Sequence, residues 1–110
     1  MVAEVVDILK GQRFSLINEK ELQAEIAKLL PAFNREHRLD ARNITDFFLD
    51  GLALEVKITG TAKSIYKQCE RYCKFSDVTS LLLVTNRSMG FPKEINGKPC
   101  YVFKLGNGWL

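Results

Sequence analysis

The chain has 110 residues, a formal net charge of +3 and 46% hydrophobic residues. That is enough for one domain around one core and too little for two. A mildly basic balance permits nucleic-acid binding without arguing for it. With no run of about twenty apolar residues, no membrane span is expected. The segment Met1-Val2-Ala3-Glu4-Val5-Val6-Asp7 carries two acids where a secretory leader carries a basic stretch. Cys69, Cys73 and Cys100 form an odd, sparse set. They predict buried reduced thiols and a cytoplasmic setting rather than a disulfide framework.

Residues 1–17 admit two readings. Val2, Val5, Val6 and Leu9 can line a short helix that Gly11 ends, or the segment is a flexible arm. Phe14 to Ile17 reads as a short extended lead-in. Asn18 is a natural N-cap, with Glu19 and Glu21 in the first turn, where the helix dipole favours acids. The helix is expected to run to about Leu30, before Pro31, with Leu22, Ile26, Leu29 and Leu30 as its apolar stripe. Glu19 and Glu25 each lie about 60° from that stripe, on opposite edges, and Glu21 points further out. Phe33 to Leu39 alternates weakly as a first strand, and Asp40 to Asn43 reads as a turn.

The most informative stretch follows. Asp50-Gly51 between two apolar runs predicts a two-residue hairpin turn, which needs φ > 0 at both centres. That turn pairs Leu49 with Leu52, Phe48 with Ala53, Phe47 with Leu54 and Asp46 with Glu55. Period-two alternation then puts Asp46, Phe48, Ala53, Glu55 and Lys57 on one face. Like charges directly opposite in a sheet are destabilising. A divalent cation would offset the repulsion, and an all-oxygen donor set suits Mg²⁺ or Mn²⁺. The competing reading is an exposed face carrying a Glu–Lys ladder.

Thr59-Gly60 breaks the strand, and Thr61 can cap a second helix through about Phe75. On it Lys63, Lys67, Arg71 and Lys74 share a face, opposite much of Ile65, Cys69 and Tyr72. Such a stripe can track a phosphate backbone or can be plain solvated surface. Ser80 to Thr85 has the composition of a buried strand, Asn86 to Gly97 is loop-rich, and Tyr101 to Leu105 reads as a final strand. Gly106-Asn107-Gly108 is expected to turn, with Trp109-Leu110 closing the chain. There is no phosphate-binding glycine loop, dinucleotide fingerprint or nucleophile elbow, and Cys69, Cys73 and His37 lack the spacing of a zinc site.

Asp46 followed by Glu55-Val56-Lys57 resembles the core motif of the PD-(D/E)xK nuclease superfamily. Glu19-Lys20-Glu21-Leu22 is similar to the glutamate-bearing first helix of that family, and Gln68 falls where many members carry a glutamine. In its order of elements and its size, the chain resembles archaeal-type Holliday-junction resolvases and small phage VRR-type nucleases. The match spans roughly Asn18 to Thr85. It departs at Thr45, which stands at the motif's proline position, and in having Arg42 as the nearest basic residue before the aspartate.

The resemblance implies a single restriction-endonuclease-like α/β domain over residues 1–110, with an αβββαβ core and a mixed central sheet flanked by helices. It implies a DNA endonuclease using Mg²⁺ or Mn²⁺, with branched or duplex DNA as substrate. Asp46, Glu55, a main-chain carbonyl at Val56 and Glu19 would be metal ligands. Lys57 would be the catalytic lysine, and Gln68 an accessory residue. Lys63, Lys67, Arg71 and Lys74 would contact DNA. A homodimer is implied, with Tyr101–Leu110 as a candidate interface. The choice among Glu19, Glu21 and Glu25 stays open at this point. A nucleic-acid binding module without catalysis, or a small interaction protein, remains the alternative.

Overall fold

The computed structural model describes residues 1–106. Apart from Gly106, the expected turn and Trp109-Leu110 lie outside the described residues. The elements are α1 (Val2–Lys10), α2 (Glu19–Leu29), β1 (Asn34–Arg38), β2 (Ile44–Leu49), β3 (Leu52–Lys57), α3 (Ala62–Tyr72), β4 (Ser80–Thr85), β5 (Glu94–Ile95) and β6 (Lys98–Lys104). From α2 to β4 this is the expected αβββαβ order. The strands form one mixed sheet in the order β1-β2-β3-β4-β6-β5. β1, β2 and β3 are antiparallel neighbours, while β4 runs parallel to both β3 and β6.

Helices cover both faces. Val5 and Leu9 of α1 and Leu22 and Ile26 of α2 pack with Phe47, Leu54, Val56, Leu82 and Val84. On the other face, Ile65, Cys69 and Tyr72 of α3 pack with Leu81, Leu83 and Cys100. β4 sits between these layers, which is why its apolar run is continuous rather than alternating. Residues 2–10 are therefore a docked helix and not an arm. The three cysteines are free and buried. No helix of the described residues is long and apolar enough to cross a membrane.

Side-chain caps set the helix starts. Asn18 Oδ1 accepts the Glu21 N–H at 2.8 Å, and Thr61 with Ser64 forms a reciprocal capping box. α3 ends at Tyr72 rather than near Phe75. Lys74 and Phe75 continue only as a turn, bonded to the Arg71 and Tyr72 carbonyls, so Lys74 leaves the helical stripe. Another difference is the β5–β6 hairpin, closed by Asn96 at φ 51° and Gly97 at φ 75°. β6 accordingly begins at Lys98, three residues before Tyr101. The Asn-Gly pair signals that turn, but Glu94-Ile95 and Lys98-Pro99 offer no apolar alternation around it.

The central hairpin has the expected register over Leu49↔Leu52, Phe48↔Ala53 and Phe47↔Leu54, with Asp50 at φ 47° and Gly51 at φ 88°. Pairing then stops, and the expected Asp46–Glu55 rung is not a ladder pair. The β1–β2 ladder also breaks there. It runs Asn34↔Phe48, Arg35↔Phe47, His37↔Thr45 and Arg38↔Ile44, skipping Glu36 and Asp46. Glu36 adopts φ 50°, a left-handed conformation that costs a non-glycine residue on the order of 1–3 kcal/mol. Both ladders thus open at Asp46.

The turn at Gly51 also anchors β4, because its carbonyl accepts the Thr79 N–H at 2.8 Å. A Cβ at Gly51 would collide with the Thr79 side chain, whereas one at Gly97 would meet nothing within 4 Å. Both glycines have positive φ, so alanine strains the backbone at each by about 1–3 kcal/mol. Denaturant midpoints should therefore fall for both Gly51→Ala and Gly97→Ala, and clearly further for Gly51→Ala. Equal losses would mean that Thr79 does not constrain the turn.

Candidate active site

The carboxylates of Asp46 and Glu55 occupy the opening in the sheet. Extending the hairpin register would direct the Val56 N–H to the Thr45 carbonyl. It donates instead to Asp46 Oδ2 at 2.8 Å, and the Asp46 N–H donates to Glu55 Oε1 at 3.1 Å. Each carboxylate replaces a main-chain acceptor, so the acids themselves hold the splayed strands together. Among the described residues, Thr45 Oγ1 at this distortion is buried with no hydrogen-bond partner.

Glu55 is 1% exposed, and its Oε1 accepts the Asp46 N–H. Burial first, and then the Asp46 charge, pushes Glu55 up to about 8 from its usual 4.5. Burial raises Asp46 too, against the opposing pull of the Val56 N–H and the Lys57 charge. The pair therefore retains a proton near neutrality. The Tyr72 hydroxyl faces two acceptors, the Ile44 carbonyl at 2.7 Å and Glu55 Oε2 at 3.3 Å, and its oxygen accepts from Gln68 Nε2 at 2.8 Å.

Of the three acids left open on α2, only Glu19 reaches β3. Glu21 is exposed, and Glu25 accepts the Ser15 N–H at 3.2 Å. Glu19 Oε1 accepts from the Ile58 N–H at 2.9 Å, the Thr59 N–H at 3.1 Å and the Thr59 hydroxyl at 3.1 Å. Its Oε2 lies 4.0 Å from Lys57 Nζ. Glu19 thus clamps the end of β3 to the start of α2 and orients Lys57. The Lys57 charge in turn acts on both Asp46 and Glu55.

A cleft of about 440 Å³ continues from Lys57 along α3, lined by Thr59, Ser64, Lys67, Gln68 and Arg71 among others. Lys67 and Arg71 of the basic stripe thus share a cleft with Lys57, and Arg71 Nε also donates to Asn43 Oδ1 at 3.3 Å. Lys63 and Lys74 are exposed and do not line it. Two larger clefts, beside α1 and β6, carry none of these side chains. The residue that sequence reasoning missed is Tyr72, assigned only to the apolar face of α3. Its signal was a phenol four residues after Gln68, an apolar ring whose polar tip needs a partner when buried.

No group of three or more His, Cys, Asp or Glu side chains is gathered for a metal ion among the described residues. A two-carboxylate set still fits Mg²⁺ or Mn²⁺, ions that keep several waters when bound by one or two carboxylates. The donors are all oxygen, and a cation would offset both the mutual repulsion and the desolvation of Asp46 and Glu55. Val56 lies between Glu55 and Lys57, with its N–H committed to Asp46. Compared with protein-family models, curated proteins and solved structures, the chain matches none.

Glu55 gives the site a pH signature. Its raised folded value means that the folded state binds more protons than the unfolded state between about 4.5 and 8. Its contribution to stability is fully present below the lower value and is lost as pH rises through the higher one. Metal-free protein should therefore lose stability from pH 5 to 8.5 in denaturant titrations. Glu55→Gln, whose amide copies the protonated acid, should flatten that slope; an unchanged slope would place the proton elsewhere. Glu19 has a separate test. Glu19→Ala should lower stability by about 1–3 kcal/mol, because it strands the Ile58 and Thr59 donors. Glu19→Gln, which keeps an acceptor oxygen, should recover most of that loss.

Proposed function

We propose that this protein is a Mg²⁺- or Mn²⁺-dependent endonuclease that hydrolyses phosphodiester bonds in DNA, on a restriction-endonuclease-like fold. The observation that carries the reading is the pairing of buried Glu55 with half-buried Asp46 at an opened sheet position, with Lys57 lining a cationic cleft beside it. Two neighbouring carboxylates, one of them buried, are a poor structural device. They are a natural ligand pair for a hard cation.

Asp46 and Glu55, with main-chain oxygen near Val56, would hold the ion. When bound, it supplies charge to polarise the scissile phosphate and to acidify a water. Lys57 orients the attacking water and stabilises charge developing on the phosphate, while Glu19 holds Lys57 in place. Gln68 and Tyr72 hold the Glu55 carboxyl in one orientation. Lys67 and Arg71 attract the DNA backbone into the cleft, and Lys63 and Lys74 extend the field along α3. Branched DNA is the substrate class that the family resemblance favours. A homodimer with Tyr101 and Val102 at its contact, where both side chains are more than 40% exposed, would present two sites to two strands.

The test is cleavage of labelled linear, flapped, single-stranded and four-way DNAs in EDTA, Mg²⁺ or Mn²⁺. Wild type should cut only with metal, and Asp46→Ala, Glu55→Ala and Lys57→Ala should each lose activity by about a hundredfold or more. Folded wild-type protein that cuts none of these DNAs with Mn²⁺ would replace this reading with a binding module.

A further inference from the structure

A stacked ring pair lies beside the opening of the sheet at Asp46. The His37 and Phe48 rings are stacked, with centroids 4.2 Å apart and planes 8° from parallel. Phe48 lies two residues from Asp46 on β2 and so shares its face, while His37 stands opposite Thr45, on the other side of the Asp46 position. The left-handed Glu36, immediately before His37, marks the break in strand geometry between these positions. Both rings are half-buried, not core. They stand on β1 and β2, at the end of the sheet where β1 is the outer strand.

Arg38 and Arg42 are exposed on β1 and the following turn, near the acids Glu36 and Asp40, whereas the Arg35 guanidinium lies 5.6 Å from the centre of the Phe47 ring, on the opposite face of the sheet from Asp46 and Phe48. Asp40 is occupied by the Arg42 and Asn43 N–H groups.

We infer that the His37–Phe48 stack is a platform for an unpaired nucleobase next to the scissile phosphate, so the substrate includes a single-stranded segment. A base has a π-face to stack on a half-exposed ring, and Arg38 and Arg42 match the flanking phosphates. A base inside a duplex is stacked on both sides and offers no free face, so the platform selects flaps, gaps or junction crossovers over continuous duplex. The inference rests on reading Asp46 and Glu55 as a nuclease site. Its alternative is a cross-strand ring pair that only stiffens an edge strand.

Binding in EDTA separates the two, because it needs no cleavage. Fluorescence anisotropy of the full chain would be titrated with a labelled single strand, a gapped duplex and a blunt duplex. Wild type should prefer the first two. His37→Ala should weaken them by about tenfold, the order of one base–aromatic stack, and leave blunt duplex unchanged. His37→Phe should restore the preference, and Phe48→Leu should reduce it. Melting temperatures would confirm that every variant is folded. Equal weakening on all DNAs, no change with His37→Ala, or no binding to any DNA would overturn the platform. Metal-dependent cleavage with an unmoved preference would reject the platform and keep the nuclease. A shifted preference without cleavage would do the reverse.

Discussion

Glu55 is buried beside a half-buried Asp46, and the surrounding structure is arranged around that pair of acids. Removing two carboxylates from water costs several kcal/mol per ion even after relaxation. The protein offsets part of this cost with main-chain donors, as Val56 gives its N–H to Asp46 and Asp46 gives its own to Glu55. Those donors are available only because two strand ladders open at that position. The left-handed Glu36 and the missing rungs on either side of β2 belong to the same compromise.

Rigid elements support the opening from three directions. α3 brings Tyr72 onto Glu55 and the Ile44 carbonyl, bridging the strands that have parted. α2 brings Glu19 onto the end of β3, so that Lys57 is held from behind. β4, buried on both faces, pairs with β3 along its whole length, including Glu55 and Lys57. The acid pair and the lysine thus sit on strands fixed by the core, while the Lys67 and Arg71 cleft and the His37–Phe48 pair lie toward solvent.

Much of this was legible from local patterns. The Asp50-Gly51 turn imposed the hairpin register, because an Asp-Gly pair readily takes the φ > 0 at both centres that a two-residue type I′ turn needs. Period two then put Asp46, Glu55 and Lys57 on one face, and Asn18 and Thr61 marked two helix starts. The boundaries that failed had weak local signals. Pro99 and the polar flanks of Asn96-Gly97 hid the β5–β6 hairpin, and nothing in Lys74-Phe75 announces that α3 stops at Tyr72.

Residue spacing by itself therefore determined the order of elements, the turn and the shared face of the acid pair, since each depends on backbone dihedrals and side chains only a few positions apart. Tertiary structure alone decided that the Asp46–Glu55 rung opens, that Glu19 rather than Glu21 or Glu25 reaches β3, and that Tyr72 belongs to the site. Those outcomes depend on burial and on partners 17 to 40 positions away. The energy of a desolvated charge is set by whatever the whole fold places around it.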